Sequence, residues 1–109
     1  MKTLKFKHDL VRKIIEGRKT VTWRLFDDKN LEVGDEFDLA DVSDGNIFAK
    51  AVIIDIQEKV IKDLTDEDLE KHNYTSRDKM LKSHREYYGD KVSLDTMVKI
   101  IRFKLLAIL

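Results

Sequence analysis

The chain contains no proline and no cysteine, and only four glycines, at positions 17, 34, 45 and 89, interrupt it. Disulfides and cysteine-ligated zinc cannot staple such a chain, and a thiol nucleophile is excluded. The fold must come from a hydrophobic core, punctuated by glycines and helix caps alone. A length of 109 residues suits one domain, and 42% hydrophobic residues are enough to fill its core rather than leave the chain disordered. A single domain over residues 1–109 is therefore expected. The lack of cysteine fits a reducing compartment, and the expected location is cytoplasmic. No leader is expected, because the lysine-bearing start is not followed by an apolar stretch of the needed length. The longest wholly apolar run, Leu105 to Leu109, is far too short to cross a bilayer, so no membrane partner is expected.

Hydrophobic spacing places the elements between these breaks. Residues 3–7 alternate and predict a short strand. Leu10, Val11, Ile14 and Ile15 fall on one face of a helix over residues 8–16, with Gly17 just past its end, where a left-handed backbone is needed. Residues 20–24 are rich in β-branched and aromatic side chains and predict a strand. Residues 31–35 form a turn entering a strand over 36–42. Ser43-Asp44-Gly45-Asn46 is a hairpin turn, and residues 47–57 form a long strand with a buried middle. Thr65 with Asp68 has capping-box spacing for a short helix, and Thr75 with Asp78 repeats it for a second helix ending before Gly89. Residues 96–106 close the chain as a strand whose inward parity slips between Ile100 and Ile101, predicting a bulge. Strands dominate and the helices are inserted, so the class is α+β, a small curved sheet or barrel.

Net charge is zero, which gives no general attraction to polyanions, but the distribution is uneven. Residues 1–24 hold eight Lys/Arg against Asp9 and Glu16, whereas residues 25–50 hold eight acids against Lys29 and Lys50. Either the basic stretch steers an anionic ligand, or the two stretches pair as neighbouring strands and neutralise each other. Within the basic stretch, Gly17-Arg18-Lys19-Thr20-Val21-Thr22-Trp23-Arg24 gathers cations and hydroxyls into one turn and strand. On a regular strand Thr20, Thr22 and Arg24 share a face while Val21 and Trp23 enter the core. Lys19 meets Thr22 only if the chain is still turning after Gly17. A desolvated lysine beside other cations has a lowered pKa and can serve as base for a threonine nucleophile, with Arg24 gripping a carbonyl or phosphate. The plainer alternative also stands: ordinary strand threonines and solvated cations.

His72, near the end of the short helix, is a candidate proton acceptor or polar clamp, or else a capping residue. His84 falls on an apolar helical stripe and reads as a partly buried, satisfied histidine, and His8 flanks the first helix. The three histidines lack metal-ligand spacing, the acids form no calcium loop, and no phosphate-cradling glycine loop occurs, so no metal or cofactor is expected. Trp23, Tyr74, Tyr87 and Tyr88 can stack on a base or pack in the core.

The segment from Gly17 to Arg24 resembles the G-x-K-x-x-E-x-R signature of the ASCH domain, with Thr22 where the general signature has glutamate. That variant is similar to a small bacterial branch, the N4-acetylcytidine amidohydrolases, in which Gly-Arg-Lys-Thr-aliphatic-Thr-x-Arg is typical. The turn at Leu31-Glu32-Val33-Gly34-Asp35, the helical insertion from Leu64-Thr65 to Thr75, and Ile100-Ile101-Arg102-Phe103-Lys104 extend the resemblance over nearly the whole chain. It implies a PUA-like mixed β-barrel with helices at the rim, and a cleft beside the first helix for RNA or a modified nucleoside. It also implies catalytic roles for Lys19 as base and Thr22 as nucleophile, and a third polar position that falls on His72, with Glu70 two residues away. Gly17, Arg18 and Arg24 are the implied ligand-binding set. Two functions stay open on these residues: hydrolysis of an N4-acetylcytidine-like amide, or a non-catalytic RNA-binding module with Arg18, Lys19 and Arg24 on phosphates. A third is a protein partner docking on Leu105 to Leu109.

Overall fold

A computed structural model describes residues 2–26 and 29–109. Five strands form one mixed sheet: β1 (Lys2–Phe6), β2 (Val21–Leu25), β3 (Glu36–Asp41), β4 (Ile47–Val60) and β5 (Met97–Ile108), in the order β1-β3-β4-β5-β2. Only the β1–β3 pairing is parallel. The sheet curls into a half-barrel, which makes the class α+β as expected. Among the described residues, no helix is long and apolar enough to cross a membrane.

Curling follows from the long β4, which pairs with β3 through Val52 and with β5 from Ala49 to Val60. Register shifts between Lys50 and Ala51 and between Ile53 and Asp55 bend it, as bulges do. The expected bulge between Ile100 and Ile101 is absent: both residues hold continuous register, against Trp23 and Thr22 on β2 and against Gln57 and Ile56 on β4. The apparent slip has another cause. β5 is covered on both faces, so Ile101 packs in one apolar cluster and Ile100 against the other. Alternation breaks down where neither face meets water.

The first cluster fills the concave side with Phe37, Leu39, Ile53 and Phe103, closed by Ile14 of α1 (His8–Ile15). The second lies on the opposite face of β2 and β5, under α2 (Asp66–Lys71) and α3 (Arg77–Tyr88), and contains Trp23, Leu25, Leu69, Met80 and Val98. α2 opens with the expected box: Thr65 Oγ1 accepts from the Asp68 amide, and the Asp68 carboxylate accepts from the Thr65 amide. α3 is capped one residue later than expected, by Ser76, whose hydroxyl accepts from the Lys79 amide. Arg77 donates to the carbonyls of Ile61 and Leu64, which ties the start of α3 to the 3-10 turn Ile61–Asp63.

The basic and acidic stretches do meet at β1 and β3. Lys2 Nζ lies 2.7 Å from Asp35 Oδ2, and His8 Nδ1 lies 2.6 Å from Asp41 Oδ2. Asp41 also accepts from the Ser43 amide and hydroxyl. The His8 contact and these bonds hold its carboxyl down at about 2. Because β1 and β2 are the two edges of the sheet, α1, which joins them directly in sequence, must span the seam between them.

Candidate functional site

The seam is the cleft. It encloses about 710 Å³ between β1 and α1 on one side, β2 across the floor, and the α2–α3 aromatic cluster on the other. The turn after α1 decides where Lys19 points. Gly17 takes φ +77°, and the amides of Arg18 and Lys19 both donate to the Lys13 carbonyl, at 2.8 and 3.1 Å. The chain is therefore still turning at Lys19, and β2 begins only at Val21. The amine folds back to donate to the Val21 carbonyl at 2.7 Å, on the residue preceding Thr22. Burial, then the nearby charges of Arg24 and Lys13, hold that amine below the usual lysine range.

Thr22 is buried, 5% exposed, on β2 opposite Ile101, and it lines the cleft with Lys19 and His72. Trp23, pointing to the other face, is also buried, whereas Val21 is only half-buried. Arg24 holds the seam together. Its Nη2 donates to the Lys5 carbonyl of β1 at 2.9 Å, and its guanidinium carbon lies 4.8 Å from the Phe6 ring centre. A side chain thus bridges two sheet edges that no backbone ladder joins, and Arg24 Nε is left buried with no protein partner. Arg18, expected to bind ligand, is exposed and paired with Glu16, Nη2 to Oε2 at 2.7 Å, although it still borders the cleft.

His72 caps the C-terminus of α2, and Asn73 takes φ +61° directly after it. That left-handed step turns Tyr74 back toward the sheet, so both rings pack on Trp23, at centroid distances of 4.1 Å for His72 and 5.9 Å for Tyr74. Burial, then the charge of Lys19, pushes the His72 pKa down to about 4, so the ring is neutral near pH 7. Its Nδ1 and the indole Nε1 of Trp23 are both buried without protein partners. His84 Nδ1–H donates to the Met80 carbonyl at 3.0 Å, and its ring lies parallel to Tyr88. Glu70 is exposed and does not line the cleft. Asp68, the acid whose charge acts on His72, has its carboxylate engaged by Lys59 at 2.9 Å and by the capping box. Sequence reasoning missed Lys13 at the site, because helical periodicity marks it only as an exposed residue near a helix end.

No family model matches the chain, and no curated protein matches it. Solved structures do. The hypothetical protein PH0355 is similar over 97% of this chain and 100% of its own, with 22% identity and a TM-score of 0.66. The ASCH domain from Lactobacillus crispatus JV V101 matches 86% of this chain and 68% of its own, at 16% identity and TM-score 0.62. ASCH from Zymomonas mobilis matches 94% and 65%, at 12% identity and TM-score 0.63. The chain has the fold of ASCH domains, and the mixed half-barrel with helices at its rim is the architecture that this fold implies.

Proposed function

We propose that the cleft binds a modified nucleoside and hydrolyses an amide on its base, of the N4-acetylcytidine type. The observation that carries the reading is the Lys19 amine: desolvated, flanked by cations, and turned back onto the Val21 carbonyl of β2, in the cleft that a buried Thr22 also lines. A neutral fraction of this amine takes the Thr22 hydroxyl proton while Oγ1 attacks the acyl carbon. The tetrahedral intermediate then expels the cytosine amine, which takes the proton from Lys19. The acyl group is left as an ester on Thr22, and water activated by the same amine releases it as the acid. The aromatic wall of Trp23, Tyr74 and His72 suits a planar base, since stacking needs a π-face and little charge. Neutral His72 can exchange a hydrogen bond with that base, but it supplies no fixed negative charge.

Incubation with N4-acetylcytidine, followed by chromatography of the released cytidine, tests the reading. Loss of at least 100-fold in rate is expected for Thr22→Ala and for Lys19→Ala, about the contribution of a positioned nucleophile or base. Wild-type turnover no faster than that of Thr22→Ala sinks it. The second reading, a non-catalytic RNA-binding module, has its own support: Lys5, Lys7, Lys13, Lys71 and Arg102 stand around the cleft as a basic rim. Salt-dependent RNA binding without turnover would favour that alternative.

A further inference from the structure

We infer that Lys13 and Arg24, flanking the Lys19 amine, form a subsite for the phosphate of a nucleotide ligand; this rests on the nucleoside-binding reading above. Several cations of the chain are engaged by acids, among them Lys2 by Asp35, Arg18 by Glu16 and Lys59 by Asp68. Among the described residues, Lys13, Lys19 and Arg24 have no carboxylate partner. Two chain segments bring them together. The Lys13 carbonyl accepts both amides that follow Gly17, which fixes the end of α1 against the Lys19 turn. Arg24 comes from β2 with Nη2 already spent on Lys5, leaving Nε buried and unpaired.

A buried guanidinium nitrogen without an acceptor is costly, and like charges held together in a cleft repel. An anion offsets both penalties. Asp55 also lines the cleft, but it stands opposite Arg102 on the neighbouring strand. Phosphate fits better than a carboxylate because donors arrive from separate elements, and a phosphate monoester offers several oxygens and up to two charges. Beside an aromatic wall that accepts a base, such a group belongs to a nucleotide. The phosphate can be that of a free mononucleotide or an internal phosphate of an RNA strand.

Calorimetric binding of cytidine, cytidine 5′-monophosphate and a short cytidine-containing single-stranded RNA, at about 50 and about 200 mM salt, separates the sources. At low salt the monophosphate, the RNA or both should bind at least ~10-fold more tightly than cytidine. The advantage should shrink at the higher salt and in Lys13→Gln, whose side chain is exposed and not needed for the core. A preference for the mononucleotide identifies the free ligand, and a preference confined to the RNA identifies an internal phosphate. Equal affinity for all three, or an advantage unmoved by both salt and Lys13→Gln, overturns the subsite. The readout needs no turnover. Phosphate preference without hydrolysis keeps the subsite and removes the catalytic assignment, and hydrolysis of the free nucleoside without phosphate preference does the reverse. If both hold, a bound phosphate favours the charged form of Lys19, so the acid limb of hydrolysis lies at higher pH for the acetylated monophosphate than for the nucleoside.

Discussion

The two apolar clusters lie on opposite faces of β5 and are built for different tasks. The concave cluster packs aliphatic side chains with phenylalanines, Phe103 lying 6.3 Å from Phe6 and 5.8 Å from Phe37, and the Arg24 guanidinium with its unpaired Nε touches it only at its edge, over Phe6. The cluster under α2 and α3 is edged by His72, His84, Tyr74 and Tyr88 around Trp23, and two of its ring nitrogens are buried without partners. Inside that edge, a core packed from carbon has nothing left to satisfy and only holds the fold. A core with unpaired donors and acceptors carries a cost that a ligand can offset. The difference separates the part of the molecule that stabilises from the part that recognises.

The comparison breaks most visibly with Phe37→Ala. Phe37 is fully buried, and its loss should cost about 3–5 kcal/mol in a urea unfolding curve. A cost below about 1 kcal/mol would show that the concave cluster is not the stabilising one.

A smaller effect separates the clusters by pH. The ordinary histidine value is 6.5, and that of folded His72 is about 4. The unfolded chain therefore binds this proton first as pH falls. The contribution of His72 to stability should be full above about 6.5 and be lost, by about 1–2 kcal/mol, as pH falls to about 4. His72→Gln should remove that part of the slope and leave the part due to His84, which burial also holds below the ordinary histidine range. The fluorescence of Trp23, the chain's one tryptophan, should change with a midpoint near 4, since the His72 ring packs against it at 4.1 Å. Fluorescence unchanged between pH 7 and 3.5 while the protein stays folded would detach His72 from the aromatic cluster.

The smallest expected effect is that of Thr65→Ala. It removes one side of the α2 capping box and should cost about 1 kcal/mol. Because α2 presents His72, binding of the base should weaken while the concave cluster keeps its protection from hydrogen exchange. Equal loss of protection in both clusters would show that they unfold as one unit.

Much of this was legible in the residues. The hairpin at Gly45, the stop at Gly17 and the Thr65–Asp68 box are local, because each depends on groups within a few residues of one another. Local signals misled in two places. Thr75–Asp78 has cap spacing, but Ser76 takes the role, because Arg77 fixes where α3 starts by reaching residues on a separate turn. The parity change at Ile100 resembled a bulge because nothing in a strand's own sequence tells a kink from a second buried face. At the site, Lys19, Thr22 and His72 were named from the sequence and do line one cleft. The pairing of Arg18 with Glu16 depends only on close neighbours, but the cation cluster around it drew attention away from that acid.

The class of fold, the order of its elements and the short segment that floors the cleft were all readable from the residues, because spacing and turn chemistry act along the chain. That Arg24 spans the seam instead of standing free, that Lys13 joins the site, and that His72 lies neutral against Trp23 follow from the folded arrangement alone. Those outcomes depend on burial and on charges brought close from distant positions, and neither quantity exists until the two edges of the sheet face each other.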